Sequence, residues 1–154
     1  MFGSVKVILT TDATKNQQWP EFTVRIFRDG VVQAQYRGIA FEQLFASPDR
    51  STIVGLSNDG LPGTAIVVFG PSGDLRLLVN HGMAEFEYCD KSVTRRCVWF
   101  DEEKPEVQFD FNDKKRESSG ISLRDCRGNR VDLWAVALKA YNNALQRTPT
   151  SGRR

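Results

Sequence analysis

Short runs in which apolar and polar residues alternate dominate the chain, and turn-forming residues separate them at intervals of roughly 8–15 residues. Alternation with a period of two is typical of a strand with one buried face. The intervening turns, such as residues 58–63 and 70–74, are rich in glycine, proline and aspartate. Besides a first hairpin at residues 21–36, the pattern predicts strands at residues 5–11, 52–57, 64–69, 75–79, 84–89, 95–100, 107–111 and 121–125.

The first hairpin contains its own evidence for a register. A three-residue loop at residues 28–30 pairs Ile26 with Val32 and separates apolar from polar positions almost completely. A two-residue loop would instead pair Ile26 with Gln33 and mix the two faces. We therefore predict the three-residue loop, with Gly30 at the position that requires a positive φ.

Two predicted strands have apolar residues on both faces, in residues 64–69 and, within the strand 95–100, in residues 97–100. A strand of this kind is covered on both faces. The sheet is therefore not expected to be a single layer open to water.

A helical pattern follows near the C-terminal end. Apolar residues recur there with the spacing i, i+4, i+7 and i+11: Trp134, Leu138, Tyr141 and Leu145. Asp132 is a suitable N-cap. We predict an amphipathic helix over residues 132–146 and expect its apolar stripe to pack on the core rather than to bind a partner.

Together these elements predict a mainly β (α+β) fold. An antiparallel meander sheet of about nine to ten strands packs against one C-terminal helix; a propeller-like fold or a sandwich is the alternative. Residues 1–147 are expected to form a single β-rich domain, and residues 148–154 a disordered basic tail.

The composition, 40% hydrophobic and 26% charged in 154 residues, is that of a soluble globular protein. No apolar run approaches the ~18 residues that a membrane span needs. The first residues have no basic segment followed by an apolar one, as a secretory signal would. These features predict a cytoplasmic protein without membrane contact.

The formal net charge of +2 is unevenly distributed along the chain. Residues 139–154 hold four basic residues and no acidic one, so the remainder has 17 Lys and Arg against 19 Asp and Glu, a net charge of 17 − 19 = −2. Because phosphate binding needs clustered cations, this body charge disfavours a nucleic-acid partner.

The three cysteines are Cys89, Cys97 and Cys126. Their spacing contains no Cys-x₂-Cys pair, so a zinc site with His81 is not expected, nor is any other metal or cofactor. The predicted strands place Cys89 and Cys97 on opposite faces, which argues against a disulfide between them. We expect three reduced cysteines.

Candidate chemistry lies on the predicted strands between residues 84 and 111. Their register sets Glu87 opposite Arg96 and Arg96 opposite Asp110, with Glu85 in the neighbouring row. An arginine between two acids could bind a charged ligand. The favoured interpretation is a salt-bridge ladder on a solvated face, because exposed pairs of this kind are common and weak.

Two further residues, His81 and Trp99, complete the candidate site. His81 follows a strand in a turn and has no flanking carboxylate motif, so a turn residue is the simpler interpretation. The chain lacks a Gly-x-Ser-x-Gly motif, a Walker phosphate loop and a His-Glu-x-x-His motif.

These observations favour a small binding module, for a small ligand or a protein partner, over an enzyme. The alternative is a hydrolase that uses Glu85, Glu87 and Asp110 with Arg96, which would require these groups in a cleft with strongly perturbed pKa values. A homodimer is a further option.

The C-terminal residues Asn142-Asn-Ala-Leu-Gln-Arg-Thr-Pro149 resemble the translated recombination site of an integron gene cassette. The resemblance covers this tail alone. It implies a mobile bacterial gene whose product has an accessory role. The alternative is an ordinary polar C-terminus that frays after a helix.

Residues 44–78 resemble one blade of a β-propeller. The pattern runs from Phe45-Ala-Ser-Pro-Asp49 through a strand, the Asp59-Gly60 turn and two further strands. Arg50 stands where the blade pattern has glycine, and no second copy is recognisable. Since a propeller needs at least four blades, an antiparallel sheet with a packed helix ranks above it.

Overall fold

The computed structural model describes residues 4–12, 21–59, 63–91, 96–112 and 117–147. These residues form twelve strands and one α-helix, α1 (Leu133–Arg147). The strands are β1 (Val5–Asp12), β2 (Glu21–Arg28), β3 (Val31–Arg37), β4 (Gln43–Ala46), β5 (Ile53–Leu56), β6 (Thr64–Phe69), β7 (Leu75–Asn80), β8 (Asp90–Lys91), β9 (Cys97–Val98), β10 (Gln108–Asn112), β11 (Glu117–Arg124) and β12 (Arg130–Asp132). The predicted tail, residues 148–154, lies outside the described residues.

The predicted mainly β class, with antiparallel pairing and a single C-terminal helix, is confirmed for the described residues. The meander is divided among four sheets, in the orders β1-β2-β3, β4-β5-β6-β7, β8-β9 and β10-β11-β12. The segment with the propeller-blade pattern contains the four-stranded sheet; the resemblance itself stays a prediction. None of the helices in the described ranges has the length and apolar character needed to cross a membrane.

The four-stranded sheet is the middle layer of the molecule. Every residue of β6 is buried, as expected for a strand with apolar residues on both faces. Ile66 and Val68 point into a core shared with Leu123 and Leu133, which belong to β11 and α1. Val67 and Phe69 point into a second core, which β2 closes from the other side. The chain therefore forms three layers with a hydrophobic core on each side of β4–β7.

The first hairpin corrects the predicted register. Its loop has two residues, Asp29 and Gly30, with φ angles of 49° and 81°. The positive φ at Gly30 is confirmed, but the three-residue loop is wrong. A β-bulge at Gln33 shifts the pairing, so that Ile26 lies opposite Ala34. Because the bulge adds one residue to β3, the apolar positions stay on one face. The three-residue loop was predicted for the same reason.

Two predicted strands are largely absent. Residues 84–88 have no strand conformation, and β9 covers two residues of the predicted strand 95–100. Residues 84–88 instead lie against α1, where the backbone N–H of Glu85 donates to the carbonyl of Ala140 (2.9 Å). The predicted ladder of Glu87, Arg96 and Asp110 is therefore wrong, since it requires three paired strands.

The helix begins and ends close to the predicted positions. The backbone N–H of Ala135 donates to Oδ1 of Asp132 (2.9 Å), which confirms the N-cap. Its buried residues are Leu133, Ala137 and Ala140.

The predicted buried stripe of the helix is wrong at three of its four positions. Trp134, Leu138 and Leu145 are 38%, 63% and 72% exposed. Tyr141 packs against the core as predicted, and its hydroxyl donates to the carbonyl of Leu78 (2.7 Å). The buried face is rotated by one residue, about 100°, relative to the prediction.

The prediction of three reduced cysteines is also wrong. Cys89 and Cys126 form a disulfide with a Cα–Cα distance of 6.2 Å. Cys97 is free and buried. The disulfide forms because the turn between β11 and β12 lies over the segment that ends at Cys89, a contact between residues 37 positions apart.

Candidate functional site

A cleft of about 290 Å³ opens between α1, the segment 85–87 and the turn between β11 and β12. We call it the helix–turn cleft. The helix contributes a mostly small or apolar wall that includes Ala135, Val136 and Ala140. This volume lies at the lower end of the range found for ligand pockets. A wider, more open depression of about 630 Å³ adjoins it and shares Glu85, Phe86 and Glu87.

The floor of the cleft is aromatic. The rings of Phe86 and Trp99 are stacked, with centroids 4.7 Å apart. The Trp99 indole N–H donates to the carbonyl of Ser57 (3.1 Å), and its backbone N–H donates to Oδ1 of Asn58 (3.0 Å). A buried tryptophan whose polar atom is satisfied in this way holds a fixed orientation. The floor is therefore preorganised.

A group of three charged side chains lies at the rim. The Lys139 ammonium donates to Oε1 of Glu87 (2.6 Å), and Nη1 of Arg127 lies 3.9 Å from Oε2 of the same carboxylate. The hydrogen bond from Lys139 lowers the pKa of Glu87. Because all three side chains are exposed, these pairs add little stability and can rearrange around a ligand.

Two more carboxylates line the cleft: Asp125, in the turn between β11 and β12, and Asp132, where β12 leads into the helix. Oδ1 of Asp125 accepts hydrogen bonds from the backbone N–H groups of Arg127 (2.9 Å) and Asn129 (2.8 Å). Asp132 caps the helix. Both side chains are thus positioned by backbone donors.

The disulfide ties two walls of the cleft together. Cys89 follows the segment 85–87, and Cys126 lies between Asp125 and Arg127. Arg127 reinforces the link, since its Nη1 donates to the carbonyl of Glu87 (3.2 Å). A segment without strand hydrogen bonds is therefore held covalently at its end.

His81 lies outside the helix–turn cleft, beside the aromatic residues beneath it. Its Nε2 is 3.0 Å from the carbonyl of Ser57, and its Nδ1 is 3.2 Å from the Tyr88 hydroxyl. A carbonyl only accepts, so Nε2 carries the proton and Nδ1 accepts the Tyr88 hydroxyl proton. Burial lowers the pKa of His81 and raises that of Tyr88. His81 thus holds Tyr88, which lines the wider depression beside the cleft.

The structure separates the residues that the sequence grouped into one site. Glu85, Glu87 and Trp99 line the helix–turn cleft. Arg96 instead lies between Glu42, at 3.0 Å, and Glu102.

Asp110 lies on β10 opposite Gly120. Asp110 therefore belongs neither to the helix–turn cleft nor to the Arg96 salt bridges, and the same holds for His81.

Sequence reasoning missed the other half of the cleft, namely Asp125, Arg127, Asp132 and Lys139. The first two belong to the turn Asp125-Cys-Arg-Gly-Asn129, whose composition was a signal for an exposed turn near a predicted strand. Nothing in the sequence pairs that turn with residue 87.

Comparisons with protein family models, with curated proteins and with solved structures find no match to this chain. Within residues 4–147, where the structure describes them, no group of three or more His, Cys, Asp or Glu side chains is arranged to hold a metal ion.

Proposed function

We propose that the protein is a small binding module, the accessory product of a mobile gene cassette, that holds a small ligand in the helix–turn cleft. The single observation that carries this proposal is the cleft itself, with its stacked Phe86–Trp99 floor and its polar rim. Ligand sites typically combine an apolar concave surface with a few polar groups that orient the ligand.

Binding is better supported than the hydrolase alternative. A general acid at neutral pH needs a raised pKa, whereas Lys139 lowers the pKa of Glu87. The residues of the alternative are also dispersed, because the acid Asp110 and the basic residue Arg96 both lie outside the cleft.

Filling the cleft tests this proposal. Ala135 lines the cleft and is exposed, so Ala135→Phe should occupy part of its volume without disturbing the core. Asn142→Phe, at an exposed helix position, is the matched control. A set of fragments of roughly 8–15 non-hydrogen atoms would be screened against the isotope-labelled protein by amide chemical-shift mapping.

We expect at least one fragment to shift the amides of Phe86, Glu87 and Lys139. Ala135→Phe should abolish those shifts and Asn142→Phe should preserve them. The proposal is wrong if no fragment perturbs the cleft, or if binding survives Ala135→Phe unchanged.

The cytoplasmic location expected from the sequence remains a prediction, and the Cys89–Cys126 disulfide is the observation that argues against it. Disulfides persist in oxidising compartments and are rare in the cytosol. Rapid alkylation of intact cells, followed by mass spectrometry, would decide whether both thiols are reduced where the protein resides.

A further inference from the structure

We infer that the ligand of the helix–turn cleft is an organic cation with an apolar body, an inference that rests on the proposed function. The charge of the lining is the first observation. Four acidic residues line the cleft, Glu85, Glu87, Asp125 and Asp132, and two basic residues, Arg127 and Lys139. Their formal sum at neutral pH is 2 − 4 = −2.

The two basic side chains are already engaged. Both face Glu87, Lys139 at 2.6 Å and Arg127 at 3.9 Å. An anionic ligand would compete with Glu87 for these exposed pairs, and the Glu87 carboxylate would stay close to it at the rim. A cationic ligand leaves the three rim charges in place.

Glu85 pairs with Lys91 (3.3 Å), which lies outside the lining; with Lys91 counted, the net charge at the cleft is 3 − 4 = −1. Asp125 and Asp132 carry this negative surplus. Asp125 and Asp132 accept from backbone N–H groups, which are dipoles and leave the full carboxylate charge. The positive end of α1 offsets about half an elementary charge near Asp132, which is less than the surplus.

The apolar lining of the cleft determines the chemistry of the uncharged part of the ligand. Phe86 and Trp99, 6% and 2% exposed, close the bottom of the cleft, and the half-buried Val131 and Val136 add aliphatic surface beside them. This apolar lining favours a hydrocarbon body. A hydrated metal ion would gain nothing from it. The ligand class is therefore a small amine or quaternary ammonium compound with an aromatic or aliphatic group.

Three probes of nearly equal shape test the charge directly: phenethylamine, phenethyl alcohol and hydrocinnamate. Amide shifts would be titrated at low ionic strength, and then in ~0.5 M salt, where exposed charges are screened. We expect phenethylamine to bind about threefold to tenfold tighter than the alcohol, and hydrocinnamate to bind weakest. The advantage of the amine should shrink in salt.

Asp125→Asn and Asp132→Asn remove charge while keeping the Oδ1 acceptor, and asparagine is as good an N-cap as aspartate. Each should weaken phenethylamine binding by about threefold or more and leave the alcohol unchanged. Asp110→Asn, at an exposed position of β10 outside the cleft, is the control and should change neither.

The outcomes separate this inference from the proposed function. Equal binding of the three probes in the cleft, or tightest binding of hydrocinnamate, overturns the cation inference and leaves the binding module standing. Loss of alcohol binding in Asp125→Asn also counts against it, since that variant would then have disturbed the cleft rather than its charge. If none of the three probes perturbs the cleft, both the inference and the proposed function fail.

Discussion

At the residue scale, Gly55 shows how little room the middle sheet leaves between its two neighbouring layers. A Cβ atom at this position would lie 2.8 Å from Cγ1 of Val67 and 2.9 Å from the Phe41 ring. Both neighbours are held in the core on the β2 side. The glycine is therefore required by packing rather than by backbone conformation.

We expect Gly55→Ala to lower the free energy of unfolding by about 1–3 kcal/mol, because overpacking displaces neighbouring side chains. Urea titration would measure it. Gly82→Ala is the control, since nothing lies within 4 Å of a Cβ built there. Equal effects of the two substitutions would contradict the close packing around Gly55.

His81 makes the stability of the protein depend on pH. Burial lowers its pKa in the folded protein, so the unfolded chain binds a proton more readily than the folded one. The stability that neutral His81 provides is present above the unfolded value of about 6.5. It falls as the pH drops from there toward the lower folded pKa.

We therefore expect the free energy of unfolding to decrease between pH 7 and pH 5, and to decrease less in His81→Gln, which does not titrate. Urea titrations of both proteins across this range would measure the difference. An identical pH dependence in the variant would show that His81 is not the group responsible.

At the element scale, α1 combines a well-predicted helix with a wrongly predicted face. The i, i+4, i+7 pattern and the Asp132 cap are local properties, and they gave the correct bounds. The orientation depends on which side chains fit above β11 and β12. Leu133 and two alanines are buried there, whereas Leu138, a side chain of the same size as Leu133, points outward.

Two leucines on this helix should therefore respond in opposite ways. Leu133→Ala removes a fully buried side chain and should cost about 2–5 kcal/mol of stability. Leu138→Ala, at a 63% exposed position, should change stability by less than about 0.5 kcal/mol. Thermal or urea unfolding distinguishes them, and a large loss in Leu138→Ala would restore the face predicted from the sequence.

In the first hairpin, too, the sequence predicts the elements but not the way they pair. Alternation predicted β2 and β3, and Gly30 lies at positive φ as expected. The pairing differs because a bulge at Gln33 and a two-residue turn segregate the faces as well as a longer loop does. The isolated hairpin could therefore adopt either register, because both separate apolar from polar side chains. Val24 and Ile26 are fully buried against the middle sheet, where the bulged register places them.

At the scale of the whole molecule, the cleft exists because three separate parts of the chain meet. The segment 85–87, the β11–β12 turn and α1 each contribute one wall. The disulfide connects the first two across 37 positions, and the backbone bond from Glu85 to Ala140 connects the first to the helix.

Reduction of this disulfide should lower the free energy of unfolding by about 2–4 kcal/mol, because it removes a constraint on the unfolded chain. Alkylation of the denatured, unreduced protein should modify one cysteine, Cys97. Cys126→Ser should reproduce the loss of stability. Modification of all three cysteines without reductant would show that the thiols are not bridged.

The sequence by itself determined the properties that depend on residues close together in the chain. These are the mainly β class, the strand that is buried on both faces, the capped helix and the positive φ of Gly30. Each follows from a period, a cap or a turn residue. Glu85, Glu87 and Trp99 line the cleft, but the strand pairing from which the sequence grouped them is wrong, so their position there does not follow from the local pattern.

The tertiary structure alone decided the properties that depend on contacts between distant segments. Packing above the sheet rotated the helix by one residue. Cys89 forms its disulfide with Cys126. Arg96 forms salt bridges with Glu42 and Glu102, and Lys139 with Glu87. Periodicity cannot specify such pairs, because many partners satisfy the same pattern. The shared cores choose among them by the shape and volume of the side chains they can hold.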